Sequence, residues 1–474
     1  MTPNRNLIAI ALIVTIAAAC TDPGAVEEPL AAPDVFAPTP TIAPDPARST
    51  TTTRPIPTTT INVEQTALFR VDPMTLEPLP GFNPIPAGDY FWGSVSDNGR
   101  WLAGYASNED GGLIEVRLLD VINWEVVASW QPIGSGEPYV TDRGVVYYAQ
   151  GGPSWPMLKR LRPGAEEEVA SNLPEGFSPL SPIHQHGPLI AVFGTTGDWG
   201  LTSEEPMIAT VDLSSGELTA IELPQVTYGP IEEVDIGESW SPFVGAYPGL
   251  VWDRGRALIV HADRDVVTEV DLVGGEVTDH RFGPEASAWG RLFTWLANPA
   301  QAGGVPMADS TRSAALSPNG RLLYVATRVG EAVVESEDEW YLGTRSTGLQ
   351  VIDTETWSRV DRLDAPIGEV HLSPDGTRLI GWGFTQEDRL STTTFESHGV
   401  FVIDTTSMEV LAHHEGPDDW YYPISFSGNG RFGYLSTWSN TSIIDLASGE
   451  IIGKRSAAGF QVWGEAGVAT ASNY

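Results

Sequence analysis

The chain has one cysteine in 474 residues, Cys20. That excludes disulfides and thiolate metal sites from any folded body beyond it. Lysine is almost as scarce, at Lys159 and Lys454 alone, and 26 basic residues face 62 acidic ones for a net charge of −36. Nucleic-acid phosphates need clustered Lys and Arg, so no nucleic-acid partner is expected. Long apolar runs are missing as well: apart from the first nineteen residues, no segment is apolar enough to cross a bilayer. The chain lacks a Gly-x-Ser-x-Gly elbow, a phosphate loop and EF-hand spacing, although Asp263-Arg264-Asp265 and Glu337-Asp338-Glu339 offer oxygen ligands. Among eight histidines the close pairs are His184-x-His186 and His413-His414, neither with an evident third ligand. No metal and no cofactor is therefore expected. What is abundant is 49 Gly, 37 Pro and 16 Trp, the composition of many short strands joined by turns.

Residues 1–19 read as a signal peptide, with Arg5, an apolar stretch from Leu7 to Ile16, and small Ala17-Ala18-Ala19 before a cleavage point. Cys20 follows at once. This placement resembles the lipobox of bacterial lipoproteins, whose mature N-terminal cysteine carries diacylglycerol; Ala17 departs from the bulkier leucine usual in that family. The resemblance implies lipidation at Cys20 and an extracytoplasmic body anchored to the cell membrane. Two acyl chains would hold it stably, at about 0.8 kcal/mol per buried methylene. Residues 20–62 then read as a disordered tether, with Pro recurring from Pro23 to Pro57 between Thr50–Thr53 and Thr58–Thr60.

From residue 63 to 474 one small unit recurs. Ser96-Asp97-Asn98-Gly99-Arg100, Ser317-Pro318-Asn319-Gly320-Arg321, Ser373-Pro374-Asp375-Gly376-Thr377 and Ser427-Gly428-Asn429-Gly430-Arg431 each precede an apolar strand. Apolar strands ending in aspartate recur with them, at Asp72, Asp120, Asp212, Asp271, Asp353, Asp404 and Asp445. A carboxylate there can accept backbone N–H groups two residues on and stabilise a hairpin. Repetition of this kind suits scaffolding, because a reaction centre needs its groups to converge once.

The two markers define a four-stranded meander: strand A, the Ser-x-Asn/Asp-Gly turn, strand B, strand C ending in Asp, a second turn, strand D. At this point the chain resembles the bacterial β-propeller repeats of the TolB-like, YVTN and WD40-like families. The expected fold is all-β, a propeller of four-stranded antiparallel blades, eight in number with seven as the alternative. Residues 66–80 supply a C–D pair and residues 459–472 an A–B pair, so pairing the N-terminal and C-terminal strands would close the ring.

Topology then places the B–C connections (about 149–157, 194–206, 328–347 and 384–398) and the D–A connections (224–247, 283–311 and 414–421) on one face. Those segments hold Trp155, Trp199, Trp240, Trp289, Trp295, Trp340 and Trp420. Acids are dense there too, among them Asp338, Glu339, Asp418 and Asp419. Flat indole faces stack on sugars, rings or cations. The expected ligand-binding set is Trp199, Trp240, Trp289, Trp295, Trp340, Trp420, Asp338, Glu339, Asp418 and Asp419, with no catalytic residues assigned. The favoured function is a surface-anchored, monomeric, non-enzymatic module that recognises a glycan or a protein. One alternative is a glycan-active hydrolase or lyase with paired carboxylates such as Asp338 and Asp418 at the central funnel. Another is a scaffold in an envelope assembly.

Overall fold

Each Ser-x-Asn/Asp-Gly turn is held by its own side chains. The Ser96 hydroxyl donates to Asn98 Oδ1 at 2.8 Å and accepts the Trp101 N–H at 3.0 Å, and the Arg100 N–H donates to Asn98 Oδ1. Ser317, Ser373 and Ser427 repeat this on Asn319, Asp375 and Asn429. The fourth residue sits at φ between 66° and 74° (Gly99, Gly320, Gly376, Gly430), where glycine carries no Cβ penalty. The turn therefore forms from local chemistry and delivers the chain into strand B.

The structure, a computed structural model, describes residues 66–88, 91–96, 98–107, 114–131, 137–150, 156–196, 205–233, 243–283, 310–336, 339–389, 392–415, 424–437, 440–456, 461–463 and 468–471. Cys20 and the tether lie outside them. The first strands are β1 (Thr66–Arg70) and β2 (Ile85–Gly88). Meanders follow: β3 (Phe91–Val95), β4 (Trp101–Ser107), β5 (Ile114–Asp120) and β6 (Glu125–Trp130), then β7 (Tyr139–Val140), β8 (Val146–Gln150), β9 (Met157–Leu161) and β10 (Glu168–Asn172). Next come β11 (Phe177–Pro179), β12 (His184–His186), β13 (Leu189–Thr196), β14 (Glu205–Asp212) and β15 (Leu218–Glu222). The hairpin of β16 (Gly229–Glu233) and β17 (Phe243–Tyr247) precedes β18 (Gly249–Asp253), β19 (Arg256–Val260), β20 (Val266–Asp271) and β21 (Val277–Arg281). Then come β22 (Ser310–Leu316), β23 (Leu322–Ser336), β24 (Glu339–Asp353) and β25 (Ser358–Leu363), followed by β26 (Glu369–Leu372), β27 (Arg378–Arg389), β28 (Thr392–Asp404) and β29 (Val410–His414). The last strands are β30 (Ser425–Phe426), β31 (Phe432–Ser436), β32 (Asn440–Asp445), β33 (Ile451–Ser456), β34 (Gln461–Trp463) and β35 (Val468–Ala471).

This is an all-β propeller, but the expected count of eight blades, or seven, is not what it shows. Among the described residues there are five four-stranded blades: β3–β6, β7–β10, β18–β21, β30–β33 and a composite of β34, β35, β1 and β2. β11–β15 make a five-stranded sheet, and β16, β17 and β22–β29 share one sheet of ten strands. The cause is local. Segments 328–347 and 384–398 are not loops; most of each is strand, so β23 and β24 run 15 residues each and β27 and β28 run 12 and 13. Their extended ends pair with each other, Tyr341 to Arg389 through Arg345 to Thr385, and this ladder merges what the repeat pattern shows as separate units.

The chain ends pair as the repeat phase requires. β1 lies antiparallel to β35, with Ala67 opposite Ala471 and Arg70 opposite Val468. The partner strand β2 arrives only at Ile85, later than the segment ending at residue 80.

Apolar clusters fill the seams between sheets, and the C–D turns supply wedges for them. The residue four after the turn aspartate has positive φ in seven turns: Gly216, Gly275 and Gly449, but also Leu76, Trp124, Trp357 and Met408 at 52–56°. A side chain in that conformation costs about 1–2 kcal/mol, so something must offset it. In all four the side chain plugs the preceding sheet. Leu76 is fully buried against Phe432, Tyr434 and Ile443, and Met408 packs on the cluster around Tyr324. Trp357 stacks on His280 with centroids 3.9 Å apart, and the Trp124 Nε1–H donates to Asn83 O at 2.6 Å.

Candidate functional site

The repeated aspartates are structural. Asp353 Oδ1 accepts the N–H groups of Glu355 and Thr356, and Oδ2 accepts Arg321 Nε–H at 3.2 Å. Asp120 and Asp404 do the same on their own turns and bind Arg100 and Arg378. The backbone bond from Thr356, outweighing desolvation, holds the Asp353 carboxyl below its usual range, and the bond from Ser407 does so for Asp404. At Asp120 burial opposes the charge, yet the hydrogen bonds from Arg100, Asn123 and Ile122 prevail and lower it. These groups hold hairpins shut.

The face carrying the long connections is built differently. The outer parts of β23 and β24 form one hairpin, those of β27 and β28 another, and the β24–β27 ladder joins them side by side. The β16–β17 hairpin adds to the same sheet: β17 lies parallel to β22, with Ala246 opposite Ser310 and Tyr247 opposite Thr311. The start of β22 is at the same end as the continuation of β23, since Thr311 pairs with Arg328. Three long connections thus rise together from one end as a continuous strand platform.

Of the expected binding set, the structure places two residues on this platform. Trp340 is opposite Val334 and Glu339 opposite Ser336, at the head of the β23–β24 hairpin. Trp199, Trp240, Trp289, Trp295, Trp420, Asp338, Asp418 and Asp419 lie outside the described residues.

At the foot of the platform is a groove of about 450 Å³ lined by Pro366, Ser397, His398, Phe401, His413 and Glu415. Phe401 and His413 stack at 4.3 Å with their planes 5° apart and form its floor. His413 Nε2–H donates to His398 O at 2.8 Å, and His398 Nε2 meets Thr385 Oγ1 at 2.8 Å. Thr385 belongs to the ladder that joins the hairpins, so groove and platform share a strand. The groove was not readable from the His413-His414 pair as a unit. Strand alternation splits it, turning His414 to Gly449 O of the next blade at 2.7 Å. The signal that could have found it is Phe401 with His413, cross-strand partners on β28 and β29.

The other histidine pair stays on one strand face against the β18–β19 turn: His184 Nε2–H donates to Arg254 O, its ring stacks on Trp252, and His186 lies beside Gly255. Asp263 and Asp265, the oxygen-rich stretch, are engaged with Thr227 Oγ1 at 3.1 Å and Arg312 Nη2 at 3.0 Å. Between them Arg264 Nε–H donates to His261 Nδ1, His261 Nε2–H to Thr268 Oγ1 and the Thr268 hydroxyl to Asp279 Oδ1. Desolvation, with Arg264 close by, pushes buried His261 down to about 4 and keeps it neutral. Among the described residues no group of three His, Cys, Asp or Glu is placed to hold a metal.

A propeller with elaborated hairpins at one end suggests a binding or scaffold module, since binding residues concentrate on segments displayed by a rigid frame. No protein-family model matches the chain, and no curated protein matches it. Solved structures do. Dihydro-heme d1 dehydrogenase NirN, in complex with DHE, is 14% identical, with a TM-score of 0.45 and coverage of 84% of this chain and 74% of that one. The β-propeller domain of Myceliophteria thermophila Cps50 (Swd1) is 12% identical, with a TM-score of 0.35 and coverage of 80% and 94%. A eukaryotic initiation factor is 10% identical, with a TM-score of 0.41 and coverage of 83% and 96%. At such identities and scores the likeness carries no functional argument; the propeller assignment rests on the strand topology above.

Proposed function

We propose that this chain is a non-enzymatic recognition module, tethered to the outer side of a cell membrane through Cys20, that meets a glycan or protein ligand on its hairpin platform. The observation that carries the reading is the β24–β27 ladder. Pairing two hairpins side by side sets the backbone of Trp340 and Glu339, next to the ladder in β24, on a frame and removes much of the ordering entropy a loop would lose on binding. The acidity of the chain suits a neutral or cationic ligand, and the Pro/Thr-rich tether would hold the platform clear of the bilayer.

A glycan array and a crosslinking pull-down with the lipidated chain test the reading. Capture should fall at least tenfold in Trp340→Ala and in Glu339→Ala. A silent array and pull-down, or capture that ignores both substitutions, would refute it.

A further inference from the structure

The groove at the foot of the platform has a composition that specifies more than a surface hollow. Its volume of about 450 Å³ falls in the range of small-molecule sites, about 300–1,000 Å³. Its floor is flat and aromatic: the exposed His413 ring covers Phe401, which is buried beneath it, and Pro366 borders the pair. Its edges are polar. Each imidazole spends Nε2 on the protein, His413 on a carbonyl and His398 on Thr385, and among the described residues each Nδ1 faces no protein partner. Glu415 is exposed at the end of β29 and makes no hydrogen bond or ion pair among the described residues. Ser397 Oγ accepts the Gly399 N–H at 3.2 Å, which leaves its own proton free to donate. Among the described residues no lysine or arginine lines the groove, so there an anionic group would meet Glu415 with nothing to neutralise it.

We propose that this groove is a saccharide subsite, occupied by one neutral sugar ring whose C–H face lies on the Phe401–His413 stack. The carboxylate of Glu415 accepts ring hydroxyls at one edge; His398 Nδ1 and Ser397 Oγ serve the other. A purely apolar ligand would strip these polar groups of water without replacing it, and an anion lacks a counter-charge. The proposal rests on the recognition reading above and narrows it to a glycan. Because His398 is bonded to Thr385 in the hairpin ladder, a chain of sugars could run from the groove up onto the platform that carries Trp340.

The test is a titration followed by the imidazole signals of His398 and His413 in histidine-labelled protein, assigned with His398→Gln and His413→Gln. The probes are glucose, N-acetylglucosamine, their β-linked tetrasaccharides and, as a contrast, a basic tetrapeptide. One or more of the sugars should move both imidazole signals, and Glu415→Gln, an exposed substitution that should not disturb folding, should weaken that response about tenfold. Signals unmoved by every sugar, moved by the peptide alone, or moved equally in Glu415→Gln would overturn the subsite. Sugar binding that leaves the imidazoles unmoved but disappears in Trp340→Ala would overturn the groove while sustaining the platform.

Discussion

Leu76 offers a sharp test because two forces act on it in opposite directions. It sits in the turn of the composite sheet, fully buried against Phe432, Tyr434 and Ile443 of the last complete blade, at φ 54°. Around it Tyr434 Oη–H donates to Pro73 O at 3.0 Å and Arg455 Nη1–H donates to Leu76 O. Leu76→Ala removes the wedge and should cost about 2–5 kcal/mol through lost burial and the cavity left behind. Elsewhere Gly is worse than Ala, because it loses more backbone entropy on folding. Here Leu76→Gly also relieves a left-handed strain of about 1–2 kcal/mol, so it should equal or exceed Leu76→Ala in stability. Urea unfolding of both variants gives the comparison directly. In heat, at about 2.1 cal/mol/K per residue, the alanine variant should lose roughly 2–6 °C. A loss below about 0.5 kcal/mol, or a glycine variant clearly weaker than the alanine one, would refute the wedge account of the closing seam.

The remaining predictions follow the same logic. Removing residues 459–474 takes β34 and β35 from β1, so the truncated chain should be recovered as aggregate; normal soluble yield would contradict closure. Buried His261 is neutral when folded, with its proton affinity depressed to about 4, so its contribution is complete above the unfolded pKa near 6.5 and is lost as pH falls from there through 4. That window should carry about 3 kcal/mol of pH-dependent stability, absent in His261→Gln, as read from urea midpoints at pH 7.5 and 4.5. The depressed carboxyls of Asp120, Asp353 and Asp404 work at lower pH: their stabilisation is present above about pH 4 and fades below it. The triple Asp→Asn variant should therefore show a flatter stability profile below pH 4 than the parent. Cys20→Ser should shift the chain from the membrane fraction to the soluble one; unchanged membrane attachment would remove the lipid anchor from the account.

How far the sequence revealed this arrangement depended on the range of the forces involved. The turns around Ser96, Ser317, Ser373 and Ser427 close within six residues, so they were legible as motifs and located strands A and B. The aspartate turns were legible for the same reason. The ladder between β24 and β27 was not, because Tyr341 and Arg389 meet through tertiary pairing that no local pattern encodes. A signal was nonetheless available. The stretches Ala332-Val333-Val334 and Trp340-Tyr341-Leu342, and likewise Thr392-Thr393-Thr394-Phe395, are rich in β-branched and aromatic residues on either side of short tips. Their neighbouring acids gave them the look of loops, and that misled the blade count. The groove was hidden for another reason: His398, Phe401 and His413 come together only when β28 and β29 pair with the right register.

The joined hairpins are the feature on which the recognition surface stands, and a cross-strand disulfide tests them most directly. Thr344 and Gln386 are opposed in the β24–β27 ladder, and opposed Cα atoms in antiparallel pairs lie about 4.5–5.5 Å apart, within disulfide reach. In a Cys20→Ser background, Thr344→Cys with Gln386→Cys should oxidise to an intramolecular disulfide, seen as a two-dalton loss by mass spectrometry, while Thr344→Cys with Thr394→Cys should keep free thiols. Free thiols in the first pair, or equal oxidation of both, would show that the hairpins are not joined.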